Sequence, residues 1–318
     1  MLDILAITSP IYVAILLGFV TTRTGMFDKA AMRMFGAFVI KLALPALLFK
    51  ALAQRRIGEI LNVSYLVAYA GASLALLGVG YLCCRRLAGM DKSSSAIYVM
   101  GMSISNSAFV GYPILLLTFA PVAGVALALN VIVENVIVFP VLLALAERGR
   151  GDSGPWHRLV AASLARLASN PIILGTAAGV AVSLSGWTLP APVERTVSLF
   201  ANASSALSLF VIGGALVGVP VAGLARRAAP IVFFKLVGHP LAVLAATLVV
   251  PLLGLPRIDS MLGMAAVLLA AMPMASVYPI MAQAYGHEDL GATALLLTTI
   301  ASFFTLSGVL WLMHRVAV

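Results

Sequence analysis

The side chains of this sequence that could do chemistry lie inside long apolar runs. One acidic residue sits far from any polar stretch: Glu134, in Asn130-Val131-Ile132-Val133-Glu134-Asn135. Asn130 and Glu134 are four apart and would share a helix face. An ionisable group inside a membrane-spanning run marks an ion or proton path by default. Glu134 with Asn130 and Asn135 could therefore hold a cation, or Glu134 could carry a proton. The alternative is a hydrogen-bonded Glu that fastens its helix to the core.

A second constellation surrounds prolines. One run reads Ser103-Ile104-Ser105-Asn106-Ser107-Ala108-Phe109-Val110-Gly111-Tyr112-Pro113, another Met272-Pro273-Met274-Ala275-Ser276-Val277-Tyr278-Pro279. Proline inside a helix removes a hydrogen bond and clashes with the preceding turn. In a bilayer, backbone groups freed in this way must be satisfied by protein or water, so such breaks line cavities. A half-helix N-terminus there offers N–H groups and a partial positive charge, which suit an anion. The candidate substrate residues are Asn106, Ser107, Tyr112, Pro113, Pro273, Ser276, Tyr278 and Pro279. The Asn106 amide could donate to a carboxylate or bridge the two broken segments, and the tyrosines could wall the site. The bland reading is a pair of packing kinks lined by small residues.

Other polar groups point less sharply. Lys41 and Lys235 lie a turn or two from the cytoplasmic face and are expected to snorkel to it, with a substrate role as the lesser alternative. His239 reads as hydrogen-bonded packing ahead of a proton relay, and Asn202, Ser204 and Ser205 as helix contacts. There is no nucleophile–base arrangement, phosphate loop, metal cluster or carboxylate pair, so neither an enzyme nor a cofactor is expected. The exception is a possible coupling ion, Na+ or H+.

These residues need elements to hold them, and the composition says which. Of 318 residues, 62% are hydrophobic and 10% charged, with mean hydropathy +1.09. Soluble domains run at roughly 45–50% apolar and about 25% charged, so lipid must solvate this chain. Ten apolar runs are long enough to span: about 4–21, 35–53, 63–83, 94–118, 121–146, 167–186, 196–219, 229–253, 260–284 and 290–314. Loops on one side hold Arg23, Lys29, Arg33, Arg85, Arg86, Lys92, Arg148, Arg150, Arg158, Arg166, Arg226 and Arg227. The other side holds only Lys50, Arg55, Arg56, Arg195, Arg257 and Arg315. The first set is cytoplasmic by the positive-inside rule, which puts both termini outside. The net charge of +9 is spread over these clusters, which excludes a nucleic-acid surface. Cys83 and Cys84 read as reduced thiols. Met1-Leu2-Asp3 lacks a basic leader and is read as opening a span.

The chain also resembles itself. Tyr112-Pro113-Ile114 recurs as Tyr278-Pro279-Ile280, and Ser9-Pro10-Ile11 is echoed by Asn170-Pro171-Ile172. Spans one to five thus match spans six to ten. Five is odd, so the second half would be inverted, as in many secondary carriers. The expected organisation is a first repeat at 1–146, a cytoplasmic linker at 147–158 and a second repeat at 159–318.

With these residues laid out, the sequence resembles the auxin efflux carrier family as a bacterial member. The resemblance rests on Lys41-Leu42-Ala43-Leu44-Pro45, on Asn106 to Pro113, on Val133-Glu134-Asn135 and on Pro273 with Pro279. It implies an all-α membrane fold of five-plus-five inverted repeats in which broken helices four and nine cross, similar to bile-acid and sodium–proton antiporter carriers. It further implies a scaffold of spans 1, 2, 6 and 7, a transport bundle of spans 3–5 and 8–10, and substrate near Asn106, Pro113 and Pro279. Transport would be elevator-like, in the cell inner membrane, with malonate- or malate-type anions as substrates. Plant members carry a long central loop; only Glu147–Arg158 stands in its place here. Expected partners are the small organic anion and the bilayer, with a homodimer left open. A sodium-coupled symporter of the bile-acid type and an anion sensor without transport are the rival readings.

Overall fold

The fold is given by a computed structural model, which describes residues 2–55, 58, 61–149, 169–219 and 223–317. Most of the expected linker, Arg150 to Arg158, and the lead-in at Arg166 lie outside the described residues. Among the described residues the chain is helical: α1 Leu2–Arg23, α2 Lys29–Ala53, α3 Val63–Arg86, α4 Lys92–Ser103, α5 Ser107–Thr118 and α6 Ala120–Gly149. There follow α7 Pro171–Ser185, α8 Ala191–Ala215, α9 Ala225–Leu253, α10 Ser260–Ala270, α11 Tyr278–Ala284 and α12 Glu288–Ala317. Helix is the form that satisfies its own backbone where no water is available. Six of these helices, α2, α3, α6, α8, α9 and α12, are long and apolar enough to cross a membrane.

Local chemistry sets the ends and the irregularities. Asp28, Asp91, Asn170 and Asp259 cap α2, α4, α7 and α10, each side chain accepting from a first-turn N–H at 2.7–3.1 Å. Four helical stretches widen into π turns: Val39–Ala43, Ser107–Gly111, Val133–Val138 and Phe234–Gly238. Each ends two residues before a proline, at Pro45, Pro113, Pro140 and Pro240. Proline supplies no N–H and crowds the carbonyl four residues back. A wider turn relieves that clash at the cost of regular geometry, and such turns are frequent at functional sites.

Two compact units emerge, each drawn from both halves of the chain. The first comprises Met1–Asn62, Ala108–Val131 and Leu167–Val217. Within it α1 and α8 run backbone to backbone: a Cβ at Gly18 would fall 1.9 Å from the Phe210 carbonyl oxygen, and one at Gly213 would fall 1.8 Å from that of Ile15. Small residues at a helix crossing permit this approach where lipid gives no hydrophobic drive for association. Helix α2 packs on α7 and α8, and Leu47, Leu48, Leu52, Leu127, Ala128, Val131 and Ala201 form a buried cluster.

The second unit comprises Val63–Ser107, Ile132–Arg166 and Gly218–Val318. Here α3 packs on α4, α9 and α10, while α12 packs on α9, α10 and α11. The runs expected as spans four and nine are both interrupted, between Ser103 and Ser107 and between Ala270 and Tyr278. Helix α2 begins at Lys29, six residues before the expected start of its span at 35, because Asp28 supplies the cap.

Candidate functional site

In the second unit the two interruptions meet. Ser105 and Met274 form an isolated antiparallel bridge. The Asn106 N–H donates to the Pro273 carbonyl at 2.8 Å, and the Ala275 N–H donates to that of Ile104 at 3.3 Å. The Asn106 side chain, 3% exposed, donates through Nδ2 to Ser276 Oγ at 3.0 Å. Of the two roles open to this amide in the sequence, the bridging one is occupied. Tyr278 is buried with its ring against Gly101, where a Cβ would come 2.9 Å from the tyrosine Cζ. Its neighbour Pro279 is half-buried in the first turn of α11.

Glu134 reaches the same crossing. Its Oε1 accepts from the Ser105 N–H at 2.9 Å and from Ser107 Oγ at 3.5 Å. Asn135 is half-buried beside it in the same π turn. The carboxylate occupies one of the backbone donors that the break in the chain releases. A carboxylate on a backbone N–H is a charge-assisted contact, stronger than a neutral one.

Lys235 departs from the sequence expectation. It does not snorkel: it is 0% exposed, in the π turn of α9. Its Nζ donates to Ser105 Oγ at 2.8 Å, to the Ala270 carbonyl at 2.7 Å and to His239 Nδ1 at 2.9 Å. An ammonium has three donors and no acceptor, so all three are used. In place of the interface, the interrupted chain offers two oxygens within reach of the buried ammonium. Because Lys235 can only donate, His239 Nδ1 accepts, and the neutral ring carries its proton on Nε2. Nε2 faces Ser73 Oγ at 3.0 Å, and the ring stands edge-on to Tyr69 at 5.5 Å between centroids. The Tyr69 hydroxyl lies 3.3 Å from Ser105 Oγ. Ser105 is thus the hub, with Glu134 on its N–H and Lys235 on its hydroxyl.

This set gathers Asn106, Ser107, Glu134, Pro273 and Ser276 from the expected residues. It adds Ser105, Tyr69, Ser73, Lys235 and His239, which sequence reasoning left outside the site. A signal was present: Lys235 and His239 are four apart inside an apolar run, on one helix face.

Three expected residues, Tyr112, Pro113 and Asn130, belong to the first unit. Pro113 and Asn130 are buried there. Tyr112 lines a cavity of about 660 Å³ together with Lys50, Gln54, Arg55, Asn202 and Ser205. Its remaining wall is apolar: Leu47, Ala51, Leu116, Ala120, Gly124 and Ala201. Arg55 donates to the Pro121 carbonyl, and Gln54 Nε2 donates to Glu194 Oε1 at 2.9 Å. Two cations and four neutral donors face this space, and no acidic side chain lines it among the described residues. Asn202 and Ser205, expected to serve helix contacts, line this cavity instead, while Ser204 bonds the Ala201 carbonyl of its own helix at 2.7 Å.

The sequence matches the model of a family described as membrane transport protein over residues 4–310. The chain belongs to that family, the auxin efflux carriers. Among curated relatives, it is similar to the "Putative malonate transporter" of Rhizobium meliloti (strain 1021). The two are 28% identical over 316 residues, covering 99% of this chain and 97% of the relative. It is also similar to the "Uncharacterized transporter YfdV" of Escherichia coli (strain K12), at 25% identity over 213 residues, 64% of this chain and 66% of the relative. Family membership and the apolar helices together make this an integral, multi-pass membrane transport protein.

Proposed function

We propose that this protein is a secondary carrier of short organic anions, foremost dicarboxylates of the malonate type. The observation that carries the reading is the basic cavity. Lys50 and Arg55 give it two positive charges, matched to two carboxylates, and Tyr112, Asn202, Ser205 and Gln54 supply neutral donors. A cavity of about 660 Å³ falls within the range of ligand sites, roughly 300–1,000 Å³, and admits a small dianion with its waters. The name of the Rhizobium relative points to the same substrate class.

The crossing in the second unit is the gating element of this proposal. Within that unit Asn106, Ser107, Pro273, Ser276, Tyr278 and Pro279 shape the broken segments, while Tyr112 and Pro113 serve the cavity of the first unit. Glu134, with Asn135 beside it in the same turn, is the charged group of this element. Six long apolar helices and four shorter apolar ones (Ser9–Arg23, Ser107–Thr118, Pro171–Ser185 and Ser260–Ala270) would supply ten spans. These would form two inverted five-helix repeats with both termini outside the cell inner membrane, working by an elevator movement, as a monomer or a homodimer.

The test is uptake of radiolabelled malonate into proteoliposomes. A lost charge-assisted contact costs about 1.5–3 kcal/mol, roughly 10–100-fold in affinity. Lys50→Gln and Arg55→Gln should each weaken malonate uptake by that factor, and weaken acetate uptake less. Asn106→Ala should abolish saturable binding at normal expression. Wild-type uptake by all three variants would refute the assignment.

A further inference from the structure

Two of the three acceptors around Lys235 are oxygens of the kind a metal cation would choose, and the third is an imidazole nitrogen. Hard cations take carbonyl, hydroxyl and carboxylate oxygens. The interruption of the second unit offers the Ala270 carbonyl and the Ser105 hydroxyl, and Ser105 also carries the Glu134 carboxylate on its N–H. The Lys235 ammonium sits on the first two. It is not a chance visitor from the surface, since it has no exposure and all three donors are used. The ionisable groups that surround it are Glu134 from α6, His239 from its own helix and Tyr69 from α3.

We infer that Lys235 is a built-in cation that takes the place of a coupling ion at the interruption, so that anion transport by this protein requires no sodium gradient. The ammonium stays with the protein through the cycle, because its side chain is covalently part of α9 and its three N–H groups are held by acceptors. His239 holds it there: its Nδ1 accepts from the ammonium while Nε2 is tied to Ser73. The expectation of a sodium-binding Glu134 is thereby answered by a resident ammonium that neutralises the same carboxylate. The inference rests on the carrier reading above.

Two arms test it. In proteoliposomes the wild type should take up malonate equally, within about twofold, when sodium is replaced by choline on both sides. Lys235→Ala vacates the oxygen ligands, so its uptake should fall at least tenfold in choline and recover in sodium or lithium. The melting temperature of purified Lys235→Ala should rise with sodium over choline at equal ionic strength, and that of the wild type should not. Wild-type uptake that collapses in choline would overturn the inference. So would a folded Lys235→Ala protein that transports equally well in choline, or that gains nothing from any alkali cation. Should Lys235→Ala fail to fold, the wild-type choline arm decides alone. Absence of saturable carboxylate uptake by the wild type would sink the carrier reading instead, and the melting experiment would still decide the ion site.

Discussion

A buried charge left without its counter-charge is far costlier than a missing pair. Glu134 and Lys235 are 6% and 0% exposed and meet through Ser105, so each sustains the other. Glu134→Gln and Lys235→Met should each destabilise the protein by about 3–5 kcal/mol, the range for breaking a buried pair. The double variant should lose clearly less than the sum, because it removes both charges. Thermal unfolding of the four proteins in one detergent measures the cycle; strict additivity would show that the two charges do not interact. At this scale the sequence was half legible. Glu134 announced itself as the acid farthest from any polar stretch, and Asn106 by its place in a broken run. Lys235 did not, because a lysine near a span end has an alternative in snorkelling. Its partners Ser105 and Ala270 lie 130 and 35 residues away, where no local pattern reaches.

Among the elements, the prolines carried most of the information. The breaks near Pro113 and Pro279 were readable because each sits in a run of small and polar residues. What proline chemistry does to the helices before it was not readable: four times it widens the turn that ends two residues upstream. Lys235 and Glu134 both lie in such turns, and both are buried. The basic cavity was illegible for a different reason. Its lining runs from Leu47 to Ser205, and each polar member other than Tyr112 looks alone like an ordinary interfacial or packing residue. Helix ends, by contrast, follow local rules and invite a local test. Asp91 caps α4, and the hydrogen bonds from the Ser94 side chain and N–H hold its carboxyl below the ordinary carboxylate range. Its contribution is therefore full above the unfolded value, about 4, and is lost as pH falls through the lower folded value. Asp91→Ala should cost about 1 kcal/mol, and that loss should shrink in acid. Melting curves at neutral pH and near pH 3 check it; an equal loss at both would refute the cap.

For the whole molecule, composition alone excluded a soluble fold, and the described helices agree. The proposed orientation makes a direct claim about sidedness. On a background lacking Cys83 and Cys84, single cysteines in place of the exposed Lys92 and Arg257 should label from opposite faces. A membrane-impermeant maleimide should reach Arg257→Cys in intact spheroplasts and Lys92→Cys only in inverted vesicles. Labelling of both from one side would refute the alternate-loop charge assignment.

The resident ammonium has an electrical consequence. On that proposal Glu134 and Lys235, linked through Ser105, cancel each other within the protein. The charge that crosses the membrane in each cycle is then the charge of the cargo. Moving one elementary charge through 100 mV is worth about 2.3 kcal/mol. A dianion therefore feels about 4.6 kcal/mol, roughly a 2,000-fold concentration ratio. In a cell that is negative inside, that bias runs outward. On the proposed reading the protein exports dianions by default, and imports only when its cargo is protonated or exchanged for another anion.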